Sequence, residues 1–179
     1  MLQEFKRHVD ENLPYLKNKK LLVAISGGID SVVLTYLLHE LKCTISLAHC
    51  NFKLRGVESD LDEVFVKELA KKLQIECFSI AFNTEEYSKK NKKSTQIAAR
   101  ELRYNYFNEL VAANHFDYVL TAHHADDNLE TFLINLTRGT GLEGLTGIPV
   151  KNGIIVRPLL GFSRHDVCLL YTSPSPRDA

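Results

Sequence analysis

Five short runs of almost entirely apolar residues constrain the fold more than any other feature of the chain. A strand with one wet face alternates apolar and polar residues, whereas a solidly apolar strand is covered on both faces, as in parallel sheets. The runs that we predict to be strands are Leu21–Ser26, Thr44–His49, Glu76–Phe82, Tyr118–Ala122 and Ile154–Arg157.

Apolar residues between these strands recur at the i, i+3, i+4, i+7 spacing of an amphipathic helix. Alternating strands and helices form βαβ units, so we predict an α/β fold with a mainly parallel five-stranded sheet flanked by helices. Ligands of such sheets bind at the carboxyl ends of the strands. The stripes that we predict to face the core are Leu34/Leu37/Leu38/Leu41, Val66/Leu69/Ala70/Leu73 and Leu129/Phe132/Leu133/Leu136.

Two segments lack these patterns. Asn83 to Ser94 is polar and charged, and is predicted to be a mobile loop before a helix over Thr95–Asn114. After Val167 the sequence CLLYTSPSPRDA has neither helical nor strand periodicity. We expect residues 168–179 to be a foreign or frame-shifted tail, and the natural protein to continue beyond about residue 167.

Composition excludes several classes of protein. The formal net charge is zero, so the chain as a whole is not a basic nucleic-acid binder. No apolar run reaches the roughly 18–20 residues that cross a bilayer, and the first 20 residues lack the apolar block of a secretory signal. The four cysteines form no CxxC pair, so reduced thiols are expected. We therefore expect a cytoplasmic protein with no membrane partner.

The string SGGIDS, residues 26–31, joins the first predicted strand to a helix. Backbone N–H groups at a helix N-terminus favour an anion, and glycines let a phosphate come close. Ser26 and Ser31 can donate hydrogen bonds, while Asp30 fits beside phosphates if it holds Mg²⁺. The alternative is a plain turn with Asp30 or Ser31 as the N-cap, which a glycine pair alone would favour. The string is not the Walker motif, since GxxxxGKS/T is absent, and it is not GxGxxG.

Two further motifs carry polar residues towards the same edge of the sheet. In AHCNFKLRG, residues 48–56, the side chains of His49, Asn51 and Arg55 could line a nucleotide, or the segment could be a polar loop with a capping Asn. In the helix that follows residue 94, one face carries Gln96, Arg100, Arg103 and Phe107. These arginines could be solvated, paired with Glu101, or directed at a triphosphate or an RNA phosphate.

The richest segment is TAHHADDNLETFLINLTRGTGLEGLTGIP, residues 121–149. Asp126, Asp127 and Glu130 are spaced to lie together on a helix surface, where they could bind a metal, a cationic substrate, or nothing. Acidic residues also complement a helix N-terminus, and the His123-His124 pair lacks the spacing of a zinc site. The glycine-rich part is predicted to be a flexible loop over the site, or a loop with no packing role.

The motifs SGGIDS, AHCNFKLRG, ARELRYNYF, TAHHADDNLETFLINLTRGTGLEGLTGI and RPLL, in this order, resemble the bacterial tRNA(Ile)-lysidine synthases, PP-loop enzymes of the N-type ATP pyrophosphatase superfamily. The resemblance covers about Lys20 to Val167. It implies that residues 1–167 are an N-terminal catalytic domain with a Rossmann-like, adenine nucleotide alpha-hydrolase-like fold, and that C-terminal tRNA-binding domains are missing. The chain departs from the family's more frequent HVNHGLR at Cys50 and Phe52, and we assign Phe52 no catalytic role.

The resemblance also implies an activity. The family uses ATP to adenylate the C2 oxygen of the wobble cytidine in a tRNA(Ile) with a CAU anticodon. The amine of L-lysine then attacks C2, giving lysidine, AMP and pyrophosphate. The implied cofactors are ATP and Mg²⁺, the implied partners are tRNA(Ile) and L-lysine, and a homodimer is possible. A tRNA cytidine thiolase of the same superfamily and a non-enzymatic nucleotide-binding module are the alternatives.

By the same resemblance, each motif supplies named residues. Asp30 would hold the metal, and Arg103, with Arg100, would stabilise phosphate charge. Asp127 and Glu130 would hold the cationic groups of lysine, and a carboxylate or His123 would accept the proton of the attacking amine. The implied nucleotide contacts are Ser26, Gly27, Gly28, Ile29, Asp30, Ser31, Ala48 and Asn51.

Overall fold

The computed structural model describes residues 1–139, 141 and 146–172. Within them the chain forms seven α-helices and six strands, with a short 3-10 turn at Pro14–Leu16. The strands are β1 (Lys20–Ala24), β2 (Thr44–Asn51), β3 (Cys77–Ala81), β4 (Tyr118–Leu120), β5 (Lys151–Asn152) and β6 (Ile155–Val156). The helices are α1 (Leu2–Asn12), α2 (Ile29–Glu40), α3 (Val57–Leu73), α4 (Thr84–Lys90), α5 (Thr95–Asn114), α6 (Ala125–Thr137) and α7 (Arg164–Thr172).

The strands form one sheet in the order β3-β2-β1-β4-β6-β5, which confirms the predicted α/β fold with a mainly parallel sheet. Every neighbouring pair is parallel except β5 and β6. The predicted count of five strands is wrong, because β5 adds a sixth at the edge. β5 consists of two exposed polar residues, so it carries no apolar pattern by which it could be found.

Both faces of the sheet are covered, as the apolar strands predict. On one face, Leu21, Val23 and Leu47 pack in a cluster with side chains from α1, α2, α3 and α7. On the other, Leu22 and Ala48 pack with residues of α5. The predicted core stripes of α2 and α3 are confirmed, since each has at least three of its four residues buried. No helix in the described part of the chain is both long enough and apolar enough to span a membrane.

The prediction of a mobile loop over residues 83–94 is wrong for residues 84–90. Residues Thr84–Lys90 form α4, whose first turn is capped by Asn83: its Oδ1 accepts a hydrogen bond from the Glu86 N–H at 3.2 Å. Thr84 is 1% exposed, and its hydroxyl donates to the Phe52 carbonyl at 2.8 Å. The helix is polar because it lies on the surface, and its capping residues were its sequence signal. The neighbouring prediction of a helix over Thr95–Asn114 is confirmed by α5.

The apolar stripe of α6 does not face the core, contrary to prediction. The helix has no buried residue among those described, and Leu129 and Leu136 are more than half exposed. Hydrogen bonds tie the start of α6 to the rest of the protein: the Ala125 N–H donates to the Phe162 carbonyl, and Asp126 and Asn128 accept from the backbone N–H groups of Arg164 and Ile148. Helical periodicity reports an apolar face but does not say what covers it.

The chain beyond Val167 begins as a helix. Ser163 and Asp166 exchange hydrogen bonds at the start of α7, and the side chain of Val167 is fully buried. α7 then continues to Thr172, so the reading of residues 168–172 as non-helical is wrong. Thr140 and residues 142–145, which belong to the predicted glycine-rich loop, and residues 173–179 of the predicted tail lie outside the described residues.

Candidate active site

The glycine turn between β1 and α2 is held by its own two serines. The Ser31 hydroxyl donates to the Gly28 carbonyl at 2.9 Å, and the Ser26 hydroxyl accepts from the Gly28 N–H at 3.2 Å. α2 starts at Ile29, and no side chain caps its first turn. The N–H groups at this end of the helix are therefore available to an anion, which the helix dipole also favours.

Position 27 of this turn requires glycine. Its φ is +93°, and a Cβ placed on it would lie 3.2 Å from the Cβ of Asp62 in α3. Arg55 holds Asp62 through an ion pair of 2.5 Å. Arg55, expected at the nucleotide edge, is thus engaged behind the turn, where it fixes the acid that packs against Gly27.

A cleft of about 240 Å³ opens beside the glycine turn, at the carboxyl ends of β1, β2 and β4. Parallel strands place their ligand sites at this edge. Seven of the residues predicted from sequence line it: Ser26, Gly28, Asp30, Ser31, Arg103, His123 and Asp127. The other lining residues are Ala24, Ile25, Cys50, Phe52, Tyr104, Thr121 and Ala122.

The imidazole of His124 lies between the two carboxylates of the cleft. Its Nε2 is 3.4 Å from Oδ2 of Asp30, and its Nδ1 is 3.4 Å from Oδ2 of Asp127. Asp127 also accepts a hydrogen bond of 2.9 Å from the backbone N–H of His124, which closes the first turn of α6. The side chain of His124 is 6% exposed. From the sequence, His123 was predicted to accept a proton, whereas His124 was considered only as part of a pair that lacks the spacing of a zinc site.

Asp30 fits a magnesium ion that is shared with a phosphate. Its Oδ1 is buried and has no hydrogen-bond partner in the described part of the chain, so this oxygen is free for a cation. No group of three or more His, Cys, Asp or Glu residues with metal-binding geometry occurs among the residues described. Mg²⁺ is commonly held by one or two carboxylates together with substrate phosphates, and that arrangement suits a single carboxylate at the mouth of an anion site.

His123 is placed to accept a proton. Its Nδ1 lies 3.0 Å from the Thr121 hydroxyl, which fixes the ring in the cleft. Burial lowers the pKa of His123, and the nearby Arg157 guanidinium lowers it further. The imidazole is therefore neutral at neutral pH and has a nitrogen lone pair available.

Arg103 brings a positive charge to the opposite wall. It extends from α5, and its guanidinium carbon lies 5.1 Å from the centre of the Phe52 ring. Arg100, its predicted companion, lies over the ring of Tyr104 at 5.4 Å and does not line the cleft. Beside them, burial raises the pKa of the Cys50 thiol to about 12, so this cysteine stays protonated.

Five predicted site residues do not line the cleft: Gly27, Ile29, Ala48, Asn51 and Glu130. Gly27 and Ile29 belong to the glycine turn and the start of α2, and Ala48 is buried within β2. The Asn51 amide donates to Asp60 at 2.9 Å and to Glu63 at 2.8 Å. Glu130 is exposed on α6, one turn beyond Asp127. Their predicted contacts with nucleotide or lysine stay predictions.

The comparison with known families agrees with the glycine turn and the cleft. The family profile described as a PP-loop domain matches residues 1–172. The chain belongs to the PP-loop family. This confirms the family predicted from SGGIDS and the motifs that follow it.

Curated relatives of the chain carry the name tRNA(Ile)-lysidine synthase. The protein of that name from Bacteroides thetaiotaomicron is 46% identical over 161 residues, which is 90% of this chain and 38% of the relative. The one from Porphyromonas gingivalis strain W83 is 49% identical over 151 residues, 84% of this chain and 33% of the relative. The chain thus spans well under half the length of these relatives, and the resemblance seen in the motifs is confirmed over most of the chain.

Solved structures share the fold. A U34-tRNA thiolase, NcsA, from Methanococcus maripaludis with its 4Fe–4S cluster matches with a TM-score of 0.74 at 24% identity, over 99% of this chain and 68% of that one. An NH3-dependent NAD synthetase from Campylobacter jejuni matches with a TM-score of 0.65 at 16% identity, over 95% of this chain and 72% of that one. At these identities the likeness concerns the fold alone.

Proposed function

We propose that residues 1–167 are the ATP-dependent catalytic domain of a tRNA(Ile)-lysidine synthase, acting in the cytoplasm. The proposed reaction adenylates the C2 oxygen of the wobble cytidine in a CAU anticodon, and L-lysine then displaces AMP. The observation that carries this proposal is the convergence of an anion-binding glycine turn, Arg103 and Asp127 on one cleft in a chain whose relatives bear that name. Binding of tRNA by further domains, and a homodimer, belong to the same proposal.

The nucleotide half of the reaction rests on the glycine turn and the opposite wall. The N–H groups at the start of α2 and the hydroxyls of Ser26 and Ser31 bind the β- and γ-phosphates. Arg103 donates to the phosphate on which negative charge grows as pyrophosphate leaves. Magnesium, when bound at Asp30, would neutralise charge on the leaving group. Cytidine must leave its stack to reach the cleft, and an anticodon loop allows this at low cost.

The lysine half of the reaction rests on α6 and the residues before it. Asp127, with Glu130 one turn further, binds the ammonium groups of lysine by charge-assisted hydrogen bonds. The attacking amine must lose a proton, and His123, which lines the cleft and whose lowered pKa keeps it unprotonated at neutral pH, accepts that proton. In this proposal the two carboxylates hold lysine in place, and the neutral imidazole takes the proton that the amine loses when it attacks the activated carbon.

The cleft chemistry favours lysine over sulfur as the nucleophile. Sulfur transfer through a cysteine needs a thiolate, and Cys50, the cysteine at the cleft, has a pKa raised to about 12. The sequence also has no CxxC pair of the kind that the related thiolases use for an iron–sulfur cluster. A thiolase activity would appear in the experiment below as a thiocytidine product.

The test combines this chain with MgATP, L-lysine and an unmodified tRNA(Ile) transcript that carries a CAU anticodon. We expect AMP release that depends on lysine, and a cytidine whose mass rises by that of lysine minus water. A transcript with UAU at the anticodon is the matched control, because it lacks only the wobble cytidine. A chimera in which this chain replaces the matching region of the Bacteroides thetaiotaomicron relative repeats the assay with a full-length protein. Thiocytidine as the product, or turnover of the chimera without lysine, would overturn the proposal.

A further inference from the structure

Four side chains beside the cleft form one stack, which we call the Phe52 stack: Arg103, Phe52, Phe82 and Tyr106. The rings of Phe52 and Phe82 are stacked, with centroids 5.8 Å apart and planes 21° from parallel. Arg103 lies over the Phe52 ring at 5.1 Å, and Tyr106 meets Phe82 edge-on at 6.3 Å. The stack therefore joins residues that follow β2 and β3 to two residues of α5.

The backbone beneath the stack is also fixed. The carbonyl of Phe52 accepts a hydrogen bond of 2.8 Å from Thr84, which is 1% exposed. Phe52 is thus held through its main chain by the start of α4 and through its ring by Phe82. A ring held in this way can order a long side chain that rests on it, because a free arginine loses up to about 2 kcal/mol of rotamer entropy when it is fixed.

Arg103 has no acid as a partner in the described part of the chain, unlike three other cations near this wall. Lys53 pairs with Asp60, Arg55 with Asp62, and Lys93 with Glu101. In the residues that the structure describes, Arg103 makes no ion pair, and its guanidinium packs over the ring of Phe52 in a cation–π contact. A carboxylate would neutralise the guanidinium and compete with a phosphate, whereas an aromatic face positions it and leaves its N–H donors free.

We infer that Phe52 is a positioning residue, which holds Arg103 over the cleft in the orientation that binds a phosphate of ATP. The inference rests on the proposed role of Arg103. In this inference Phe52 acts through its aromatic face, and its effect on ATP binding depends entirely on Arg103. Phe52 itself then makes no contribution to binding a nucleoside that lacks phosphate.

The experiment measures MgATP and adenosine affinities of this chain by calorimetry. Phe52→Met keeps the bulk of the side chain and removes the aromatic face. We expect it to weaken MgATP binding about three- to tenfold and to leave adenosine binding within about twofold. Phe52→Tyr, which keeps the face, should bind both ligands like the parent chain. Phe82→Met removes the supporting ring outside the cleft, and should weaken MgATP binding in the same direction by less.

A double-mutant cycle decides whether Phe52 acts through Arg103. Arg103→Met should itself weaken MgATP binding about tenfold or more, and adding Phe52→Met should cause no further loss. Additive losses, or weaker adenosine binding in Phe52→Met, would overturn the inference, since Phe52 would then act on the fold or on the base directly. Unchanged MgATP binding in Arg103→Met would overturn the proposed role of Arg103 and this inference with it. Circular dichroism and the thermal midpoint report whether each variant is folded.

Discussion

Nε2 of His124 lies 3.4 Å from Oδ2 of Asp30, a contact that joins the start of α6 to the glycine turn. The other nitrogen of the same ring is 3.4 Å from Asp127. Asp30 is the proposed metal ligand and Asp127 the proposed lysine ligand, so one buried ring separates the two acids. The ring therefore keeps the two negatively charged side chains from facing each other directly.

Replacement of His124 tests this arrangement. His124→Asn keeps one donor but cannot reach both carboxylates, so we expect kcat for lysine-dependent AMP release to fall about tenfold or more. The backbone N–H of His124 still bonds to Asp127, so α6 should keep its first turn. His115→Asn, at an exposed position outside the cleft, is the matched control. Equal activity in the two variants would remove His124 from the site.

Asp30 is the residue on which the proposed metal site depends. Asp30→Asn should abolish the magnesium dependence of ATP binding and stop pyrophosphate release, because an amide replaces the charged oxygen ligand. Calorimetry with and without Mg²⁺, and a pyrophosphate assay, measure the two effects. Asp126→Asn is the control: Asp126 accepts a hydrogen bond from the backbone of Arg164 and does not line the cleft. Pyrophosphate release at the parent rate in Asp30→Asn would contradict the metal role.

Gly27→Ala should destabilise the chain and weaken ATP binding together. The left-handed backbone at φ +93° and the approach to Asp62 should lower the free energy of unfolding by about 2 kcal/mol. Gly153→Ala is a matched control, because Gly153 also has a positive φ, of +60°, but no atom within 4 Å of the added Cβ. We expect it to lower the unfolding free energy by about 1 kcal/mol and to leave ATP binding unchanged. Urea denaturation gives both values, and equal losses would show that contact with Asp62 is immaterial.

The lowered pKa of His123 predicts an acid limit for stability. Its folded pKa lies below the ordinary 6.5, so below pH 6.5 the unfolded chain takes up a proton that the folded chain does not. Stability should therefore fall as the pH drops through 6.5, until the folded ring also becomes protonated. Arg157→Met removes a cation that lowers this pKa, and should move the His123 titration seen by NMR to higher pH. A His123 titration at or above 6.5 in the parent chain would contradict this prediction.

Cys50 should be inert although it lines the cleft. With its pKa raised to about 12, almost none of it is thiolate at pH 8. We expect iodoacetamide to leave Cys50 unmodified in the folded chain and to label it after unfolding, as peptide mass spectrometry would show. Cys50→Ala should keep lysine-dependent AMP release. Loss of that activity, or rapid labelling of the folded chain, would reopen the thiolase alternative.

The sequence was most informative where the chemistry is local. The apolar runs around Leu21 and Thr44 predicted strands of a mainly parallel sheet, and SGGIDS predicted an anion-binding turn at the edge of that sheet. The turn lies there, because glycine tolerates the positive φ that the chain adopts at Gly27 between β1 and α2. The bounds of α5 agree with the predicted Thr95–Asn114, and the structure adds that the Ser94 hydroxyl caps its first turn by accepting from the Ile97 N–H.

The features that the sequence did not predict are mostly contacts between residues far apart in the chain. His124 reaches Asp30 across 94 positions, and Phe52 meets Arg103 across 51, and no periodicity reports such pairs. The stripe of α6 has the spacing of a core helix, but its surroundings are set by elements far away in sequence. α4 was missed for a local reason: its pattern is polar, and the Asn83–Glu86 capping pair received no weight.

The walls of the cleft come from four separate stretches, around residues 24–31, 50–52, 103–104 and 121–127. A pocket of this kind does not exist in any one of these stretches, because its walls meet only where the strands beneath it have assembled. A nucleotide bound there would join the early and late parts of the chain. It would protect the connecting segments from proteases and raise the melting temperature in proportion to the logarithm of its concentration.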